Sequence, residues 1–142
     1  MSSDSIERPG VGTGMIVKKT ICGIDFILLG IRKKEYGYGF LSLPGGHVEK
    51  YELAADAARR ETEEETGLTL GKVQLVGFTE DISLEQGKHY ITIYFVGEWI
   101  GGEPVNTEPG KNSDWQWINV HTLKNLQDKI WYPCIEKFRH MG

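Results

Sequence analysis

One helix-like run, from about Leu53 to Thr66, sits among strand-like runs and limits what this chain can become. It is rich in alanine and follows the backbone breaker Pro44-Gly45-Gly46. It stops at Gly67, where a helix end favours a left-handed residue. Before it, Val11–Lys18 and Asp25–Arg32 read as a hairpin with a loop around Thr20–Ile24. Lys33–Gly39 reads as a charged loop, and Phe40, Leu41 and Leu43 as a short strand. After the helix, Val73–Ile82 reads as a strand, and His89–Trp99 alternates Tyr90, Thr92, Tyr94 against Ile91, Ile93, Phe95. Gly101–Lys111 is a loop, and Asp114–Asn119 is a strand with Trp115 and Trp117 on one side. A last helix is predicted from near Trp131-Tyr132, with Pro133 in its first turn. The order of strands, helix, strands, helix predicts an α+β fold with a mixed sheet and helices packed on it.

The 142 residues suit one domain over 1–142, with 1–9 as a flexible arm. Hydrophobic residues make up 39%, enough for a packed core. A net charge of -4 argues against a broad nucleic-acid surface, which needs excess Lys and Arg. Stable nucleic-acid binding is therefore not expected, whereas a small polyanion held through a metal is compatible. Cys22 and Cys134 have no CxxC partner and read as reduced, partly buried thiols. No apolar run approaches the roughly 20 residues of a membrane span, and the polar start shows no signal peptide. The expectation is a cytoplasmic protein without a membrane partner.

The chemistry concentrates in Arg59-Arg60-Glu61-Thr62-Glu63-Glu64-Glu65-Thr66-Gly67. Glu61, Glu64 and Glu65 are spaced i, i+3, i+4 and share a helix face. They also crowd the helix C-terminal turns, where the macrodipole is already negative. Like charges at this spacing cost about 0.2–0.5 kcal/mol per pair. The dipole adds about 0.3–1 kcal/mol per carboxylate. A solvated acidic helix end is the rival reading of the cluster alone. A bound hard dication would resolve both conflicts, since every side-chain ligand is a carboxylate. Zn²⁺ would need Cys or His at set spacings, and His47, His89, His121 and His140 show none.

The flanks extend the pattern to Gly46-x5-Glu52-x7-Arg60-Glu61-Thr62-x-Glu64-Glu65-x-Gly67. This resembles the Nudix box, the signature of the Nudix hydrolase family, with Thr62 standing where the family usually has an aliphatic residue. Thr62 should face the core. The resemblance implies a Nudix-type α/β/α sandwich whose strand–loop–helix carries the metal site. It implies that Glu61, Glu64, Glu65 and the Gly45 carbonyl bind Mg²⁺, with Mn²⁺ able to substitute. It implies that Gly46, Glu52, Arg60 and Gly67 are structural, Glu52 and Arg60 holding the loop against the helix. Glu61 is the first choice for the general base that activates water, and Glu64 the second. Some relatives recruit an acid from outside the box; here that candidate is Glu108.

Looser likenesses at Arg8–Gly12, Leu28–Arg32, Leu43–His47, Trp115-x-Trp117 and Trp131 resemble the MutT-like nucleoside-triphosphate diphosphatases. They imply hydrolysis of a nucleoside triphosphate to monophosphate and pyrophosphate. No proline occurs between Pro44 and Pro104, so the proline that follows the box in many ADP-ribose hydrolases is absent. Arg32 and Gly46 are candidates for phosphate or base contacts, and Trp131 and Tyr132 for stacking on a base. Gly10-Val11-Gly12-Thr13-Gly14 precedes a strand rather than opening a helix, so it is not read as a phosphate loop. Lys18-Lys19 and Lys33-Lys34 read as solvated. A homodimer is the family-based expectation. The rival functions are the same chemistry on an NDP-sugar, ADP-ribose or capped RNA, and a Nudix module that binds nucleotide without cutting it.

Overall fold

A computed structural model of the chain describes residues 7–34 and 38–130. Residues 1–6 of the expected arm 1–9, the helix expected from Trp131, the stacking candidates Trp131 and Tyr132, and Cys134 lie outside the described residues. The elements run β1 (Gly10–Ile21), β2 (Ile24–Arg32), β3 (Leu41–Ser42), α1 (Ala54–Thr66), β4 (Leu70–Ser83), β5 (Lys88–Trp99) and β6 (Asn112–Asn119). A 3-10 segment, Val120–Lys129, follows.

The strands form one sheet in the order β3-β2-β1-β5-β4, with β6 also pairing with β2. β1 lies parallel to β5 and antiparallel to β2, so the sheet is mixed, as the element order predicts. The β1–β2 connection is tighter than the expected loop: only Cys22 and Gly23 intervene, both at positive φ. Cys22 is exposed at this turn, against the expectation of a partly buried thiol.

Alternation sorts the side chains onto two faces. Met15, Val17, Leu28 and Phe95 face α1 and pack with Ala58, Leu68 and Leu70, with Trp115 and Trp117 against the same cluster. Ile16, Ile27, Leu29 and Tyr94 face the other way and pack with Leu43, Leu123 and Ile130. The second outer layer is thus the 3-10 segment, among the described residues. Val120, Leu123 and Leu126 recur every three residues, the period at which 3-10 side chains eclipse, and all three meet this core. No described helix is long and apolar enough to cross a membrane.

Helix α1 ends at Gly67 in the left-handed conformation, with its N–H on the Glu63 carbonyl. Thr62 is fully buried, as expected for its place on the helix. Arg59 donates to the Leu70 and Gly71 carbonyls at 2.7 and 2.8 Å, and Glu63 accepts from the Leu70 N–H at 2.9 Å. The helix is thereby pinned to the start of β4.

Candidate active site

The segment before the helix is laid against β1. Thr13 and Met15 donate to the carbonyls of Gly46 and Pro44, each at 2.8 Å, and Val48 donates to Val11. In such extended pairing the intervening residues, Gly45 and His47, turn their carbonyls away from β1. The His47 carbonyl meets Arg60 of the helix at 3.4 Å, so that side is the helix side. A side chain at Gly45 would meet backbone, and one at Gly46 would push the Glu61 carboxylate aside. A Cβ at Gly45 would lie 2.1 Å from the Thr13 carbonyl oxygen, and one at Gly46 would lie 2.4 Å from the Glu61 carboxyl carbon.

Arg60 is the hub of the helix face. Its guanidinium forks onto Glu52 at 2.8 and 3.0 Å, and Glu52 also accepts from the Glu49 N–H. These bonds hold the Glu52 carboxyl below the usual range, the Arg60 bond contributing most. Arg60 also donates to Glu61 at 2.9 Å and lies 3.5 Å from Glu64. It therefore touches the acidic face directly, in addition to holding the loop, which the expected division into structural and metal-binding residues does not include.

Glu61, Glu64 and Glu108 bring carboxylate oxygens within 4.8 Å of one another. Glu108 arrives because its loop docks on the end of the helix. Val105 and Thr107 donate backbone N–H groups to the carbonyls of Thr66 and Glu65, and the Thr107 hydroxyl donates to the Glu64 carbonyl. These are the carbonyls a helix end leaves without partners. Lys111 pairs with Glu108 at 2.8 Å.

Glu65 lies deeper, 1% exposed. Its Oε2 accepts from Asn112 at 2.9 Å, while Oε1 is buried with no hydrogen-bond partner. Burial pushes the carboxyl up to about 7; Lys34 opposes this, and the charges of Glu61 and Glu108 reinforce it. Three neighbouring carboxylates plus a buried orphan carboxylate oxygen form an all-oxygen donor set suited to a hard dication.

A cavity of about 470 Å³ opens on the opposite face of the sheet and reaches this centre at Gly45, Gly46 and Asn112. Arg32 and Lys34 line it, as do Asp81, Tyr90, Thr92 and Tyr94. Its floor is β1. Gly10, Gly12 and Gly14 sit opposite Tyr90, Thr92 and Tyr94 of β5, so one face of the strand is bare. Added Cβ atoms at Gly10 and Gly14 would strike the two tyrosine rings at 2.5 and 2.8 Å. The glycine run dismissed as a phosphate loop is thus a strand that makes room. Its signal was glycine at period two, which marks close approach within a sheet.

Of the sequence candidates, Arg32 and Gly46 line the cavity, and Glu61, Glu64 and Glu108 converge. Lys34 corrects the solvated reading: burial and the nearby Arg32 lower its pKa, while Glu65 and Glu61 pull it back up. Asp81, Thr92 and Asn112 were missed.

The family model for the NUDIX domain matches residues 12–138. The chain belongs to the Nudix hydrolase family. It is 28% identical to a zebrafish (Danio rerio) protein named oxidized purine nucleoside triphosphate hydrolase, over 82% of this chain and 76% of that one. It is 33% identical to an ADP-ribose pyrophosphatase of Methanocaldococcus jannaschii, over 79% of this chain and 64% of the relative. A crystal structure of a MutT NUDIX hydrolase from Burkholderia pseudomallei superposes with a TM-score of 0.72 at 28% identity, covering 88% of this chain and all of that one.

Proposed function

We propose that the protein hydrolyses nucleoside triphosphates, deoxynucleotides and modified bases included, to the monophosphate and pyrophosphate, with Mg²⁺ as cofactor. One observation carries this reading: the cavity changes character along its length. At the carboxylate end it offers Arg32, Lys34 and the Gly45-Gly46 backbone, which suit phosphates. Away from it, Asp81, Gln86, Tyr90 and Thr92 offer a ring and hydrogen-bonding groups, which suit a nucleoside, with Lys88 beside them at that end. The zebrafish relative's name supports the same substrate class.

Glu61, Glu64, Glu65, Glu108 and the Gly45 carbonyl would hold the ion. A divalent cation, when bound, screens phosphate charge and lowers the pKa of coordinated water. The chain's residues do the rest. Arg32 and Lys34 draw the phosphate chain toward the acidic cluster. Water attacks phosphorus at the α–β bridge: a new P–O bond forms as the bridging P–O bond breaks, and the departing group, pyrophosphate or monophosphate according to which phosphorus is attacked, keeps the bridging oxygen. Glu61, with Glu64 as the alternative, accepts the proton of the attacking water. Arg60 fixes the Glu61 carboxylate for that role through the 2.9 Å bond.

Chromatography of products from a nucleotide panel with Mg²⁺ tests this reading. Monophosphate with pyrophosphate is the expected result. Cleavage of ADP-ribose or an NDP-sugar alone would move the substrate to that class, a reading the archaeal relative's name favours. Tight binding without turnover would make the chain a sensing module.

The bare strand gives a second test. A Cβ at Gly12 would meet nothing closer than the Thr92 hydroxyl at 3.9 Å, so Gly12→Val fits the backbone while its methyls enter the cavity. A β-branched residue also suits a strand better than glycine. Gly12→Val is expected to keep or raise Tm and to weaken nucleotide binding by about tenfold or more, on the scale of small-to-large changes in packed sites. Unchanged affinity in a titration would remove β1 as the floor.

A further inference from the structure

Asp81 is only 7% exposed, lines the cavity, and pairs with no lysine or arginine among the described residues. Burying a carboxylate without a cation is costly unless something else uses its lone pairs. Thr79 and Thr92 donate to its Oδ2 at 3.0 and 3.2 Å, and the Thr79 hydroxyl lies 3.4 Å from that of Tyr94. These hydroxyls fix the carboxylate in one orientation. Oδ1 accepts no hydrogen bond from the described residues. The three residues come from two strands paired so that Asp81 sits opposite Tyr90 and Thr79 opposite Thr92. On the neighbouring strand β1, Gly12 adds no side chain to the space in front of Thr92. An anchored acceptor therefore looks into an empty space at the end of the cavity assigned to the nucleoside.

We infer that Asp81 is a specificity-determining residue that selects a guanine-type base, recognised by its adjacent ring N–H and exocyclic amino group. This rests on the nucleotide reading above. A carboxylate is an acceptor only, so it favours an edge that presents donors side by side. The guanine edge does so whatever the substituent at the far side of the ring. Adenine and cytosine place a ring lone pair beside their amino group, which repels the carboxylate. Uracil and thymine flank one N–H with two carbonyl oxygens. A site built to bond an N–H discriminates strongly against analogues lacking it, because its own polar group is left unpaired.

Calorimetric titration of the full chain in EDTA with GMP, IMP, AMP and UMP tests this without turnover. IMP differs from GMP only in lacking the amino group. GMP is expected to bind about tenfold or more tighter than IMP, AMP or UMP, the scale of a lost hydrogen bond to a charged group. In Asp81→Asn, which keeps the shape, the GMP-over-IMP ratio is expected to collapse toward one. Equal affinity of GMP and IMP for the native chain, no GMP binding at millimolar concentration, or an intact ratio in Asp81→Asn each overturns the assignment. The GMP and IMP comparison on the native chain needs no variant, so misfolding of Asp81→Asn cannot rescue the idea. A failed triphosphate assay beside an intact GMP-over-IMP ratio would overturn the reaction and leave the base reading standing. Pyrophosphate release with no such ratio would do the reverse.

Discussion

Glu61→Gln is expected to lower turnover by roughly 10²–10⁴-fold, the usual contribution of a positioned general base, while the fold persists. Glutamine keeps the volume of the side chain, and its amide oxygen can still accept from Arg60, as Glu61 does at 2.9 Å. What is lost is one negative charge and the ability to take a proton. Because Glu61 sits within 4.8 Å of Glu64 and Glu108, losing that charge also relieves repulsion in the metal-free chain. The variant should therefore melt at the same temperature as the native protein or slightly above it in EDTA. Initial rates with Mg²⁺ and a melting curve settle both halves. Native activity in a variant with native stability would remove Glu61 from the reaction and pass the role to Glu64.

Glu65→Gln is expected to separate activity from stability more sharply. Turnover should again fall by orders of magnitude, since the proposed dication would lose a buried oxygen ligand. Metal-free stability should rise, in a pH-dependent way. The native Glu65 carboxyl is pushed from the ordinary glutamate value of 4.5 up to about 7, chiefly by burial. Below 4.5 the folded and unfolded chains both hold the proton, and the group costs nothing. Between 4.5 and 7 only the folded chain holds it, so stability falls as pH rises. Above about 7 the loss is complete and amounts to something on the order of 3 kcal/mol. A neutral glutamine escapes this fall. In EDTA the variant should match the native protein near pH 4 and exceed it at pH 8. For a chain of this size that corresponds to roughly 5–10 °C in Tm. Adding Mg²⁺ should then stabilise the native protein more than the variant. Parallel melting temperatures across pH would show that Glu65 is not desolvated as described.

Much of the fold and part of the candidate site could be read from residue order alone, and the boundary between what could and could not is physical. Helix α1 was legible because alanine content, the glycine stop and the box agree over one short stretch. The glutamate crowding was legible because it violates local electrostatics, and such violations need only i, i+3 and i+4 neighbours to be seen. Glu108 was legible as a candidate only through resemblance; what brings it to the helix is hydrogen bonding between Val105, Thr107 and the helix carbonyls, which no local pattern announces. Asp81 reads only as part of the strand Val73–Ile82. It becomes unusual only when β4 pairs with β5 and Thr92 arrives beside it. The 3-10 segment did carry a local signal, in Val120, Leu123 and Leu126, but a period of three is easily passed over when 3.6 and 2 are sought. The glycine run is rightly not read as a phosphate loop, but its part in the cavity was not legible. Glycines invite a loop interpretation, whereas here their alternation empties one side of a strand.

The docking of Val105 and Thr107 on the helix terminus gives the protein a clasp. The same two amides that finish the helix also set the distance between Glu108 and the box glutamates. The acidic centre is therefore assembled from two stretches that are remote in sequence, and neither owns it. Changing the length of the Gly101–Pro104 run would shift where the clasp closes, retuning the centre without altering a single one of its carboxylates.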